Sequence, residues 1–442
     1  MRVTSRHGLL ALAASVALAA LPLRAQDTTP PRGVHLGLNY NTGAPPGVIV
    51  GVVRALWGDS IQTILERDFD AGDRLTVIGM AGTPAAGAIA QVGSGVNYVV
   101  WKTLGAAAAL QLTVASGALH VVLHDVAKGA VLQVRDFPLP SSIGSAEWRL
   151  ALHGVSDEVE RWITGTRGIA ATRVLYVSGK QVRVVDSDGW GDHVLTATTT
   201  ALSPAWHPSG KYFAYSALTP RGWRIELQDL PTGSPRALGT TPEGLNITPT
   251  FSSDGASLAY AHGDEEGVDL YVTPMANGNP SGAAVRVTVG HGTDNVSPSF
   301  SPEGHRLAFT SGRVGHPEVY LADVDGTNVE PLATDVSSDA AYRSNPDWSP
   351  DGRQIAFQQQ IGGIFQVMVM TLRDRTVRQL TSEGRNEDPS WAPDGRHLVF
   401  STTRTGVREL FVLDVESGRA RQLTHGSGGR LPAWSPSLVS SP

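Results

Sequence analysis

From about residue 173 onward, apolar residues fall in short alternating runs separated by polar turns, and the arrangement recurs. Ser203-Pro-Ala-Trp-His-Pro208, Thr248-Pro-Thr-Phe-Ser-Ser253, Ser297-Pro-Ser-Phe-Ser-Pro302, Asn345-Pro-Asp-Trp-Ser-Pro350, Asp388-Pro-Ser-Trp-Ala-Pro393 and Leu431-Pro-Ala-Trp-Ser-Pro436 are six copies of one unit. Their aromatics, Trp206, Phe251, Phe300, Trp348, Trp391 and Trp434, stand 45, 49, 48, 43 and 43 residues apart. Strand-like filling at that period predicts a β-propeller. In each unit an extended run ends on the aromatic, which faces the space between blades. A tight turn of the Ser-Pro-Asp-Gly type follows, with Pro pre-setting φ and Gly accepting a positive φ. Ser209, Ser253 and Glu303 depart from that pattern and stay compatible with a turn. A short buried strand such as Leu307-Ala-Phe309 comes next, then an alternating one such as Glu318–Val324.

The last copy lacks the strands that follow the others. Arg173–Val177, Gln181–Val185 and the turn Asp186-Ser-Asp-Gly189 can supply them from before the first copy. Pairing these with the C-terminal strand closes a six-bladed ring and removes its open edges.

The pattern upstream is different. Gly47–Val53 reads as an apolar strand, and Ile61, Ile64, Leu65 and Phe69 mark one face of a helix over 59–69, capped by Asp59 or Ser60 and ending near Gly72. Leu75–Ile78 is a strand, and Thr83-Pro84 opens a short helix through Ile89. Asn97–Trp101, Leu110–Val114, Leu119–Leu123 and Val131–Arg135 follow as serial strands. Trp148, Leu152, Val155, Val159, Trp162 and Ile163 form the stripe of a closing helix over 146–164. The expected fold is therefore mainly β: a small N-terminal α/β domain (26–165), a joint (166–172), and a six-bladed β-propeller (173–442) closed by its own N- and C-terminal strands.

Residues 1–25 change the picture of location. Arg2 and Arg6 precede an apolar run, Leu9–Leu21, and Ala25 offers a cleavage point. This predicts a secretory signal peptide; a membrane anchor is the competing reading, for which the run is short and alanine-rich. The chain of 442 residues has no Cys and a net charge of −6, and loss of three arginines with the leader takes it to −9. An acidic chain without a basic block argues against nucleic acid and anionic membranes as partners. No later segment resembles a membrane span.

There is no Gly-x-Ser-x-Gly elbow, P-loop or His-Glu-x-x-His. Asp186–Gly189 and Asp323–Gly326 open like calcium loops but lack the distal Glu, so hairpin turns explain them better. His207, His262, His291, His305, His316, His397 and His425 fall in turns and loops, about one or two per blade. No cofactor or metal is expected.

The run Thr164–Val177, the Asp186–Gly189 turn, the repeated Pro-x-aromatic copies and the ending Leu431–Leu438 resemble the TolB family, the soluble periplasmic components of the Tol–Pal cell-envelope system. The resemblance covers nearly all of the chain beyond the leader. It implies a periplasmic, monomeric, non-catalytic hub. Such a hub binds the peptidoglycan-associated lipoprotein Pal over the channel mouth, engages TolA through the extreme N-terminus, and supports outer-membrane integrity and cell division. The Pro-rich start departs from the family's TolA-binding stretch. By motif position the Pal-facing residues are Asn246, Thr248, Asn295, Ser297, Arg343, Asn345, Asn386, Asp388 and Arg430. Two readings of them stay open: partner contacts, or caps that satisfy backbone groups beside each Pro. The alternative function is a propeller hydrolase or lyase with a channel-centred site. A propeller scaffold for some other envelope partner also fits.

Overall fold

The computed structural model describes residues 44–79, 96–196, 200–231, 233–239, 243–265, 267–290, 292–333 and 342–439. The expected leader, the lead-in at 26–31 and the helix at 83–89 lie outside these residues.

The upstream part is a mixed sheet with helices on both faces. Strands β1 (Gly47–Val50), β2 (Thr76–Val77), β3 (Ala106–Ala115), β4 (Ala118–Asp125) and β5 (Ala130–Pro138) lie in the order β2-β1-β3-β4-β5. β1 runs parallel to β2 and β3; β3, β4 and β5 form an antiparallel meander. Helices α1 (Gly58–Ala71) and α3 (Ala146–Thr164) pack on one face, where Val48, Val50, Leu65, Phe69, Val121, Trp148, Leu152 and Val159 share a core. α3 forms as its apolar stripe predicts. The Ser145 hydroxyl accepts from the Trp148 N–H, and Gly165 closes the helix at φ 83°.

Two local expectations are corrected. Asn97–Trp101 is not a strand. Asn97 caps a short helix, α2 (Tyr98–Thr103), by accepting from the Val100 N–H at 3.1 Å. The β-branched Val99 and Val100 favour a strand, but the cap and the single inward residue, Trp101, favour a helical turn. Nor is α1 capped by Asp59 or Ser60: Trp57 occupies that position, left-handed at φ 68° and without a side-chain cap.

The remainder is the ring. Six sheets stand around one axis, and their innermost strands are Ala201–Trp206, Leu245–Phe251, Asn295–Phe300, Arg343–Trp348, Asn386–Trp391 and Arg430–Trp434. We number the blades one to six in that order. Closure is as expected: Arg430–Trp434 pairs antiparallel with β6 (Arg173–Ser178), which continues into β7 (Gln181–Asp186) and β8 (His193–Val194).

The aromatic of each innermost strand packs onto the preceding blade. Trp348 lies among Ala308, Val319 and Leu321; Trp391 among Ala356, Val367 and Val369; and Trp206 against Leu175, Val177 and Val184 of the closing blade. The turn glycines Gly210, Gly255, Gly304, Gly352 and Gly395 have φ between 66° and 75°. That left-handed region is where a Cβ would be strained.

Candidate functional site: the propeller channel

The residue before Pro in every copy is where sequence and structure part most informatively. Ser203, Thr248, Ser297, Asn345, Asp388 and Leu431 all have left-handed φ, between 48° and 55°. The run is thus not extended there; each innermost strand carries a bulge at this point, seen as a shift in its pairing register. Steric conflict with a following Pro disfavours the right-handed helical region for the preceding residue, and polar Asn and Asp tolerate the left-handed one.

Six bulges at one level make a ring, and side chains link its members from blade to blade. The Ser297 N–H donates to Thr248 Oγ1 at 3.1 Å, and the Ser297 hydroxyl donates to Asn345 Oδ1 at 3.2 Å. Asn345 Nδ2 donates to Asp388 Oδ1 at 2.6 Å, and the Leu431 N–H donates to Asp388 Oδ2 at 3.2 Å. The second strands hold the same level: the Thr248, Asn345 and Asp388 N–H groups donate to Ser216 Oγ, Thr310 Oγ1 and Gln358 Oε1.

Two residues further on lies a second level. Asp347 accepts from the Ser299 hydroxyl at 3.2 Å and from the Trp391 N–H at 2.7 Å, while the Trp434 N–H donates to Ser390 Oγ. Burial pushes the Asp347 carboxyl up to about 6, against the pull of the Trp391 N–H and the neighbouring hydroxyls. Burial likewise raises Asp388, against Asn345 and the Leu431 N–H.

Between these levels and the Ser-Pro turns the ring encloses a channel of about 430 Å3. Its wall is a repeating Pro-x-aromatic surface with Ser, Thr and two Asp side chains and, among the described residues, no His, Lys or Arg.

The nine residues singled out in the sequence divide in two. Thr248, Ser297, Asn345 and Asp388 belong to the bulge ring and line the channel, and Arg430 is half-buried at the start of its strand. Asn246, Asn295, Arg343 and Asn386 are buried, at 1%, 0%, 4% and 0% exposure. They hold the strand starts onto the preceding blade. Asn246 Nδ2 donates to the Trp223 carbonyl, Asn295 Nδ2 to the Val268 carbonyl and Asp269, Arg343 pairs with Glu318 at 3.2 Å, and Asn386 Nδ2 donates to Gln366 Oε1. Ser203 and Leu431 complete the ring, Asp347 belongs to the level beyond it, and none of the three is among the nine. Their signal was present, since the motif offset before and after Pro marks them as surely as it marks Asn345.

Among the described residues, the histidines singled out in the sequence lie outside the channel wall; His291 is outside the described residues. His397 is buried beside the α/β part, and both Asp-x-Asp-Gly runs close as turns, through Gly189 N–H to the Asp186 carbonyl and Gly326 N–H to the Asp323 carbonyl. Two clusters bring ligand-type atoms together, Asp73–His397–Asp414 and His153–Asp186–Asp188. Arginines already hold their carboxylates: Arg396 on Asp414, Arg173 on Asp186 and Arg149 on Asp188. A dication would face those charges at close range.

Comparison with known proteins agrees with this architecture. The chain matches the family described as the TolB beta propeller domain over residues 160–438. It is 29% identical over 226 residues to the Tol-Pal system protein TolB of Francisella tularensis subsp. holarctica, covering 48% of this chain and 50% of that one. It is 37% identical over 136 residues to the Tol-Pal system protein TolB of Methylococcus capsulatus, covering 29% and 30%. The chain thus spans about half the length, or less, of these curated relatives. Among solved structures, the crystal structure of TolB from Acinetobacter baumannii aligns with a TM-score of 0.74 at 25% identity, over 89% of this chain and 97% of that one. With a match that takes in the whole ring and the last turn of the helix leading into it, the chain belongs to the TolB β-propeller family.

Proposed function

We propose that this protein is a periplasmic, non-catalytic binding hub whose channel receives a loop of a Pal-like peptidoglycan-associated lipoprotein. The observation that carries the reading is the bulge ring. It sets backbone and short polar groups around a preformed, Pro-walled channel, with little conformational entropy left to lose when a partner enters. Thr248, Ser297, Asn345 and Asp388 form the contact level, with Arg430 at the rim. Asn246, Asn295, Arg343 and Asn386 support it from behind. The wall argues for binding over chemistry, since both channel carboxylates are engaged by donors of neighbouring blades and, among the described residues, no histidine lines the channel beside them to make an acid–base pair. Export with a cleaved leader, engagement of TolA by the N-terminal segment, a monomeric state, and support of the outer membrane during division belong to the same proposal, on the strength of the family.

Calorimetric titration with the periplasmic domain of the same organism's Pal-like lipoprotein tests it. Saturable one-site binding is expected. Thr250→Trp, which fills the channel from a position outside the ring's hydrogen bonds, should abolish that binding while leaving the melting temperature close to that of the parent. Unchanged affinity in a well-folded Thr250→Trp protein would place the site elsewhere.

A further inference from the structure

Each innermost strand starts at one end of the ring and finishes at the Asp-Gly turn end. The α/β part packs on that turn end, where Arg74 meets Asp394 and Arg419 meets Asp70 and Asp73. The strand-start end is the opposite one, and four arginines of blades five and six gather there.

Arg385 and Arg408 share one carboxylate: Glu387 Oε1 lies 3.2 Å from Arg385 Nη1, and Oε2 lies 2.5 Å from Arg408 Nη1. Arg404 reaches the same segment, with Nη2 3.4 Å from Asn386 Oδ1. Arg430 follows Gly429, whose carbonyl accepts from Ser401, and Ser401 Oγ is 3.4 Å from Arg408 Nη1. The guanidinium groups are posed. Arg404 lies over Phe411 and Phe400, 4.8 Å and 5.3 Å from the ring centroids, and Arg385 lies over Phe365 at 5.7 Å.

The charges do not cancel. Glu387 serves two arginines. Glu409, buried below, is occupied by Thr424, Gly426 and Ser427. Among the described residues Arg404 and Arg430 have no ion-pair partner; their bonds run to Thr402, Asn386 and the Gly179 carbonyl. Glu383 acts on Arg404 only from further off. A cationic sector on a chain of net charge −6 is a local exception.

We infer that this arginine sector is a docking surface for an acidic segment of a folded protein partner, which reaches it at the strand-start mouth. Planar forks held over aromatic rings suit single carboxylates, which arginine binds in bidentate fashion. Glu387 and Glu383 among them oppose a continuous polyanion, as does the net charge of the chain. The inference rests on the hub reading above and adds to it the chemistry of the partner and the sector it contacts.

The test uses the whole protein and two probes, the Pal-like domain and a short Asp/Glu-rich peptide, each titrated at low and high salt. For Arg385→Gln with Arg404→Gln, affinity for an acidic partner should fall roughly tenfold or more, with a shallower salt dependence. Arg385→Lys with Arg404→Lys should recover part of it, since charge returns without the fork. A thermal melt of each variant separates lost binding from lost fold. If the Pal-like domain binds, Thr250→Trp abolishes it and the glutamine variant leaves affinity and salt slope intact, the arginine inference is overturned and the channel reading stands. If the Pal-like domain fails to bind but the acidic peptide binds and loses affinity in the glutamine variant, the inference stands and the Pal reading falls. Arginine-dependent binding of anionic vesicles or polyphosphate, with none of the peptide, overturns the inference.

Discussion

Nε2 of His397, on blade five, lies 3.4 Å from Oδ2 of Asp73, in the loop after α1. The Nδ1 of the same ring is 2.8 Å from Asp394 Oδ2, so one buried imidazole stands between a carboxylate of the propeller and one of the α/β part. The arrangement is reciprocated. His153 of α3 has Nδ1 2.9 Å from Asp68 and Nε2 3.8 Å from Asp188, which belongs to the turn after β7. Each part lends a histidine to a carboxylate of the other.

This clasp makes stability depend on pH. Burial opposes the charge on His153, but Asp68 and Asp188 outweigh it and hold its pKa at about 9. His397 is raised as well, burial being outweighed by Asp394 and Asp73. A histidine raised above its unfolded value of about 6.5 stabilises fully below that value, and the contribution is lost as pH rises through the folded pKa. Glu160 acts in the same direction: burial, with Asp157 beside it, lifts it to about 8, so ionising it costs the folded state as pH climbs. Asp394 acts at the other end. Burial is outweighed there by His397, its carboxyl is held below the usual range, and its contribution is lost as pH falls below about 4. We expect the melting temperature to be highest near pH 4.5, to decline gently above it as Glu160 resists ionisation, and to fall most steeply from about pH 6.5 to 9, where His153 also loses its proton. Calorimetric scans across that range check this, and a flat profile above pH 6.5 would count against the clasp.

Replacing the imidazole tests the same contact directly. His397→Gln leaves Asp73 and Asp394 facing each other without a cation between them. It should cost about 3 kcal/mol at pH 6 by urea denaturation, the scale for breaking a buried pair, and less once the pH has risen through the raised pKa of the imidazole.

The bulge ring predicts unequal responses at equivalent positions. Ser203 is left-handed at φ 48° and has no side-chain hydrogen bond among the described residues, so Ser203→Gly should be neutral or stabilising by up to about 1 kcal/mol. Asn345 shares that conformation at φ 51°, but its amide bridges to Asp388. Asn345→Gly should therefore destabilise, by about 1–2 kcal/mol, despite relieving the same strain. Equal shifts in melting temperature for the two variants would show that the side-chain links add nothing.

Closure of the ring depends on Trp434. It packs against Val174, Val399, Leu410 and Val412, and its indole N–H donates to Thr172 Oγ1 at 2.8 Å. Trp434→Ala should cost about 3–5 kcal/mol. Trp434→Phe, which keeps most of the packing and loses the bond, should cost distinctly less. Chemical denaturation of both variants separates packing from hydrogen bonding.

Much of the fold was legible because repetition multiplies weak signals. One Pro-x-Trp proves little, but six at nearly equal spacing specify blades, and the incomplete last copy specifies closure with Arg173–Asp186. The stripe of α3 was readable for a similar reason, since its apolar residues recur at helical spacing. Asn97–Trp101 misled because two consecutive valines outweigh a single capping Asn in any propensity argument, whereas in the fold only Trp101 had to be buried.

What the sequence determined by itself was the period, the turn chemistry and the level at which polar residues recur around the axis. Tertiary structure alone decided which of those polar residues face the channel and which are sealed between blades. Asn295 and Ser297 stand two positions apart in one strand. In a regular strand both would share a face, but the left-handed bulge at Ser297 reorients the chain, so one is buried on Asp269 and the other lines the channel. The clasp was equally hidden. His397 and Asp73 are distant in the chain, and no local pattern can register a contact that exists only because a closed ring presents its turns to a separate layer.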